Sequence, residues 1–129
     1  MFGAIKDSWF FSKTATFAMK EFGIDLMKAD RVTDGMINNA VKEARRNNFT
    51  AEEAGASCVA ISSLAVAEML DLAGQRPDYS KMHEIERRVM LLAAQGIIRE
   101  PVQERIEATI EEYYKVMEEK TGVANEYPA

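Results

Sequence analysis

The side chains that could carry chemistry are few and far apart in this sequence. The chain has one histidine, His83, and one cysteine, Cys58, which lie 25 residues apart. A zinc site draws three or four ligands mainly from these two residue types, so the pair is no ligand set. Di-iron helix bundles need a Glu-x-x-His pair on each of two helices, and a second histidine is missing. We therefore predict no metal site and no cofactor.

Nucleophilic catalysis has little support either. Cys58 and His83 form the only possible thiol–imidazole pair, and helical spacing puts Cys58 on an apolar helix face, where a cysteine behaves as a small hydrophobe. The seven glycines do not cluster into a phosphate-binding loop. General acid–base catalysis by glutamates remains open, because the chain has many of them. We predict no catalytic residues.

The formal net charge of −5 belongs entirely to the last quarter of the chain. Residues 1–99 hold 13 basic and 13 acidic side chains, whereas residues 100–129 hold three basic side chains and eight glutamates. Such a segment repels phosphates and anionic membranes and attracts basic partners. We therefore expect no nucleic-acid partner.

Five of these glutamates share one face of a predicted helix, opposite its apolar face. We name them the acidic strip: Glu100, Glu104, Glu107, Glu111 and Glu118. The strip is either a solvated helix face or a docking surface for a basic protein partner, and the sequence leaves both interpretations open.

The N-terminus concentrates large apolar side chains before the main helices begin. Five of them fall within ten residues: Phe2, Ile5, Trp9, Phe10 and Phe11. Successive helical residues point about 100° apart, so packing on one side cannot cover Trp9, Phe10 and Phe11 together. We predict that this segment forms the interface of a homodimer. Peripheral membrane attachment is the alternative, but a membrane partner is not expected, since only three lysines accompany these side chains.

The elements that position these residues are all predicted to be helical. With 129 residues, 47% of them apolar, the chain suits one domain, and no stretch shows the alternating pattern of a strand. A central helix is predicted over residues 50–73. It starts at a capping box of Thr50 and Glu53, is small or apolar on all sides, and stops at Gly74. The predicted fold is therefore an all-α, mixed or orthogonal bundle of about five helices around this buried helix.

Four further helices surround it in the prediction. The first spans about residues 2–28 and either breaks near Ser12–Thr14 or packs its two halves on different surfaces. The second ends at Asn47–Asn48, the fourth follows a turn at Pro77–Asp78 with Asp78 or Ser80 as its cap, and the fifth runs from Pro101 to Gly122. The methionines other than Met1 are expected at core positions or their edges, and residues 123–129 are expected to form a loose tail.

These observations favour a non-enzymatic, self-associating protein of interaction or assembly type. Lys6 and Asp7 precede any long apolar run, and the longest uncharged run has 14 residues, so we predict a cytoplasmic protein. The alternative is a small-ligand binder or an enzyme with a pocket between helices, lined by methionines and aromatic residues.

Overall fold

Helices account for every regular element in the described part of the chain. The computed structural model describes residues 2–28 and 31–125, with side chains for residues 9–28 and 33–125. The α-helices are α1 (Phe2–Phe22), α2 (Arg31–Arg46), α3 (Ala51–Met69), α4 (Ser80–Ala94) and α5 (Glu100–Thr121), and a short 3₁₀ helix covers Leu26–Lys28. The predicted all-α bundle of five helices is confirmed.

Helix α3 is the centre of the bundle. It packs against α1, α2 and α5, while α4 packs on α5 and touches α1. Ten of its nineteen residues are buried, and most of these ten are alanine or other small residues. Small side chains let neighbouring helices approach closely, and a helix buried on several sides must be apolar all round. The predicted central helix is confirmed.

The two ends of α3 differ in how well the sequence predicts them. The capping box is present as expected: the Glu53 amide donates to Thr50 Oγ1 at 3.1 Å, and the Thr50 amide donates to Glu53 Oε1 at 2.9 Å. The helix ends at Met69, however, and not at residue 73. Leu70 is extended, and the Lys120 ammonium on α5 donates to the carbonyls of Glu68 and Leu70, which satisfies the last turn of α3.

The carboxylate of Glu53 is fully buried and joins three parts of the chain. Besides the Thr50 amide, it accepts hydrogen bonds from the Arg99 backbone amide at 2.9 Å and from the Arg99 guanidinium at 2.8 and 2.9 Å. Arg99 also donates to the carbonyl of Asn48 at 3.0 Å, at the end of α2. Burial by itself would raise the pKa of Glu53, but the bonds from Arg99 and Thr50 lower that pKa from 4.5 to about 2.

The lowered pKa of Glu53 makes a prediction about stability and pH. Because the folded pKa lies below the unfolded one, the stabilisation is complete above about pH 4.5 and disappears as the pH falls toward 2. The shift corresponds to about 3 kcal/mol. Chemical denaturation of Glu53→Gln at pH 7 should show a loss of that size, and the gap to wild type should close by about pH 2. Glu52→Gln, on the exposed neighbour, is the control. A constant gap at every pH would contradict the assignment.

Helix α1 is continuous, so the predicted break near Ser12–Thr14 is wrong. The helix runs unbroken to Phe22 and ends at Gly23, whose φ is +68°, a conformation that glycine adopts without strain. The other alternative, that the two halves pack against different surfaces, stays a prediction, because the described side chains of α1 begin at residue 9. The second half packs on α3 through the buried residues Thr14, Ala15 and Ala18.

Gly55 sets the closest contact between α1 and α3. A Cβ atom at this position would lie 2.9 Å from the backbone oxygen of Thr14 and 3.0 Å from the Phe17 ring. The backbone oxygen cannot move aside as a flexible side chain would, so the two helices cross only because residue 55 has no side chain.

Gly55→Ala should therefore destabilise the protein although alanine is the better helix former. Overpacking of this kind costs about 1–3 kcal/mol. Gly35→Ala is the matched control, because a Cβ atom on that helical glycine meets nothing within 4 Å. It should stabilise the protein by up to about 1 kcal/mol. Thermal and urea unfolding of both variants measures the difference, and equal effects would mean that α1 does not cross α3 at Gly55.

The methionines deviate most from the predicted core. Met82 and Met117 are buried, but five others are exposed: Met19, Met27, Met36, Met69 and Met90. Met19 follows the buried Ala18, and Met36 precedes the buried Ile37. Each methionine therefore points about 100° away from its buried neighbour. The apolar stripes predicted from the sequence are therefore wider than the helix faces that the bundle buries.

The ends of α4 and α5 follow the predicted turns with three local corrections. Neither Asp78 nor Ser80 is the N-cap of α4; Tyr79 takes that position, and Asp78 instead accepts the amide and hydroxyl of Ser80. The sequence predicts a glycine cap at Gly96 with Ile97 as its apolar contact; Gly96 has a positive φ of +76°, but Ile98 is the buried residue and Ile97 is exposed. On α5 helical spacing predicts that Tyr113 packs inward, but Tyr114 is the buried tyrosine, because it faces α4 and donates to Glu86.

Candidate interaction surfaces

The three aromatic residues near the N-terminus end up in different environments. Phe10 and Phe11 are partly buried against the hydrophobic core, and the Arg45 guanidinium carbon of α2 lies 5.6 Å from the centre of the Phe10 ring. Trp9 is 61% exposed. The side chains of Phe2 and Ile5 lie outside the described residues. The sequence predicts that packing on one side cannot cover all three aromatic side chains, and Trp9 is the one that the chain itself leaves uncovered.

Trp9 belongs to a line of exposed residues along α1. Ser12, Thr16 and Met19 follow it at helical spacing and are also exposed. We call Trp9, Ser12, Thr16 and Met19 the outer face of α1. The Lys13 ammonium lies 4.1 Å from the centre of the Trp9 ring, which is a cation–π contact.

A hollow of about 410 Å³ adjoins this outer face from Ser12 to Met19. Its apolar wall consists of Met19 and Met27, which are 47% and 67% exposed, and Lys20 and Asp25 also line it. The Met27 amide donates to Asp25 Oδ1 at 3.0 Å, which folds the loop after α1 back toward the helix. We call this feature the methionine hollow. Sequence reasoning missed it, although Gly23 was the signal that α1 ends there and the chain turns back.

A second open space, of about 320 Å³, lies between α3, α4 and α5. Its lining is mostly apolar and includes Met82, Met117 and Tyr113, which are the residue types that the ligand-binding alternative predicted. Val66 and Leu70, which are 40% and 49% exposed, stand at its edge, and Lys81 contributes its charge. We call this space the apolar groove.

The acidic strip does not form a uniform surface. Glu100, Glu104 and Glu111 are exposed, whereas Glu107 and Glu118 are half-buried. Glu107 accepts a hydrogen bond from Gln103 at 3.1 Å, and Glu118 accepts one from the Asn125 amide at 2.7 Å. The two ends of the strip therefore have different surroundings.

The middle of the strip faces another carboxylate. Glu107 and Glu111 line a cleft of about 380 Å³ together with Glu86 of α4, Tyr114 and Asn125. The Tyr114 hydroxyl donates to Glu86 at 3.4 Å. Three carboxylates around one cleft repel each other, in addition to the like charges four residues apart within α5.

Neutralising part of the strip should therefore stabilise the protein. Glu104→Gln with Glu107→Gln removes three like-charge contacts at helical spacing, each worth about 0.2–0.5 kcal/mol. We expect the free energy of unfolding to rise by about 1 kcal/mol in dilute buffer. The gain should shrink in salt near ~1 M, where the screening length falls to about 3 Å. A loss of stability that is independent of salt would show that these carboxylates make favourable contacts.

The residues after α5 are held against α4. The Tyr79 hydroxyl donates to the carbonyl of Val123 at 2.7 Å, and His83 Nε2 lies 2.8 Å from Asn125 Oδ1. His83 is half-buried beside the Tyr114 ring. Burial of Tyr79 raises the pKa of its hydroxyl. Within the predicted tail, residues 123–125 thus have defined contacts, and residues 126–129 lie outside the described part.

Cys58 and two serines that follow it on α3 are engaged in structure. Cys58 is buried as predicted, and burial raises the pKa of its thiol to about 12, so that the reactive thiolate is absent at neutral pH. The hydroxyls of Ser62 and Ser63 both donate to the carbonyl of Val59. Among residues 2–28 and 31–125, no group of three His, Cys, Asp or Glu side chains is placed to hold a metal ion.

The surfaces described above are the features of this chain that bear on its function. No protein-family model, curated protein or solved structure matches the chain. None of the described helices has the length and apolar character needed to cross a bilayer. Three features of the described surface stand out: the outer face of α1 with its methionine hollow, the apolar groove and the acidic strip.

Proposed function

We propose that this protein is a self-associating helical assembly protein and that copies join through the outer face of α1. The observation that carries the proposal is Trp9, which is 61% exposed on a helix whose neighbouring aromatic residues pack inward. A side chain of this size gains about 1.5–3 kcal/mol on burial. Tryptophan is also among the residue types most enriched where protein interfaces carry their binding energy.

The outer face of α1 is complementary to itself. In a twofold-symmetric pair of antiparallel helices with its centre at residue 14, Trp9 of one copy lies opposite Met19 of the other, and Ser12 lies opposite Thr16. The small residues at the centre allow the helices to approach, and each Trp9 meets the second copy's methionine hollow. Contacts between methionine sulfur and an aromatic ring are favourable.

The charges around the hollow balance each other. Lys13 lies over the Trp9 ring and would accompany it into the hollow of the second copy. Asp25 and Lys20 both line that hollow, so Lys13 would meet one carboxylate and one ammonium there, and the contact depends on its apolar side chains. In the sequence, Phe2 and Ile5 precede Trp9 at helical spacing, so the predicted interface segment includes them.

Trp9→Glu should convert the dimer to a monomer without unfolding it. Trp9 is mostly exposed in the single chain, so its replacement costs the fold little, whereas a carboxylate in the methionine hollow would lose the apolar contact. Sedimentation or light scattering should give twice the 14.5 kDa chain mass for wild type and one chain mass for the variant. Met90→Glu is the matched control, since Met90 is an exposed apolar residue on α4 and should leave the dimer intact.

Trp9 is the only tryptophan, so its fluorescence reports the same event directly. On concentration, the emission of wild type should shift to the blue and become protected from quenchers. A full chain that stays monomeric at high micromolar concentration, with Trp9 still open to quenchers, would contradict the proposal.

A further inference from the structure

We infer that the apolar groove binds an unbranched aliphatic carboxylate, a free medium-chain fatty acid. The groove has a volume of about 320 Å³, within the range of small-molecule sites, and is lined mainly by apolar side chains. Ala67 and Met82 are buried and close its inner side, while Tyr113 and Met117 of α5 form part of its wall. This inference is independent of self-association through α1.

The mouth of the groove is apolar because of the way α3 ends. Val66 and Leu70 line the edge of the groove and are 40% and 49% exposed, so apolar side chains border its opening. Lys120 binds the carbonyls of Glu68 and Leu70 and so holds the extended chain after α3 in place. The groove is therefore formed before any ligand arrives, which lowers the entropic cost of binding.

The charge of the lining selects an anionic ligand. Lys81 is the single charged side chain among the lining residues, and within the described residues it makes no ion pair. It lies in the first turn of α4, where the Asp78 carboxylate accepts the amide and the hydroxyl of Ser80 and so satisfies part of the helix N-terminus.

One ammonium group beside a narrow apolar groove matches one carboxylate on one alkyl chain. A phosphate headgroup is doubly charged or diesterified and is bound mostly by arginine or by several cations, and no arginine lines this groove. The Ser62 and Ser63 hydroxyls donate to a backbone carbonyl, so the lining offers few groups that would require a polar ligand body. The apolar tail would lie along Val66, Ala67 and Met82, and the carboxylate would pair with Lys81.

Titration of the full chain with decanoate below its micelle concentration tests the inference, with backbone amide NMR shifts as the readout. We expect saturable shifts at residues of the groove. From hexanoate to decanoate, affinity should rise about three- to fourfold for each added methylene, until the groove is full. Trp9→Glu should bind decanoate like wild type.

Two variants and a neutral ligand separate the role of the charge from that of the apolar lining. Lys81→Met should weaken decanoate binding about tenfold and leave decanol binding unchanged, because a charge-assisted contact is lost and the apolar one is kept. Lys115→Met, on an exposed lysine of α5 outside the groove, should bind like wild type. Ser63→Phe, which fills the groove, should abolish binding while circular dichroism shows an unchanged helical fold.

Three results would overturn the inference. The first is the absence of saturable shifts with decanoate. The second is equal affinity for decanoate and decanol in wild type, which would indicate a neutral occupant such as the apolar face of a partner helix. The third is undiminished binding by both Lys81→Met and Ser63→Phe, which would place the ligand elsewhere on the molecule.

Discussion

The buried carboxylate of Glu53 is the constraint on which the rest of the bundle depends. It accepts hydrogen bonds from the Thr50 amide, the Arg99 amide and the Arg99 guanidinium, and Arg99 in turn reaches the carbonyl of Asn48. One side chain thereby fixes the start of the central helix, the end of α2 and the corner that leads into α5. A buried carboxylate is tolerable only when its hydrogen bonds are made, so these three segments must assemble together.

Close packing at Gly55 decides what remains for the surface. Because α1 crosses α3 with the Thr14 backbone against Gly55, the narrow contact is filled by alanines and by Thr14, and larger side chains are displaced to its margins. Phe10 and Phe11 still reach the core from those margins, whereas Trp9 and Met19 do not. At this crossing the small-residue contact therefore leaves large apolar side chains outside.

The two apolar surfaces have separate origins and differ in chemistry. On the outer face of α1 the exposed Trp9 lies toward one end and the hollow beside Met19 and Met27 toward the other, and the proposed self-association rests on this arrangement. The apolar groove follows from the early end of α3 and carries the charge of Lys81, which suits a small anionic amphiphile. Both surfaces depend on local helix ends, at Gly23 and at Met69, more than on the path of the helices as a whole.

Features controlled by neighbours in sequence were open to prediction. The number of helices, the capping box at Thr50, the glycine at the end of α5 and the buried state of Cys58 depend on contacts within a few residues or on local apolar periodicity. Contacts between distant residues were not open to prediction. Glu53 pairs with Arg99, 46 positions away, and Lys120 binds the Leu70 carbonyl after α3, 50 positions away. Nothing in the local spacing of the sequence selects those partners. Only the tertiary structure decided which apolar residues stay exposed, because the room at a helix crossing depends on two helices at once.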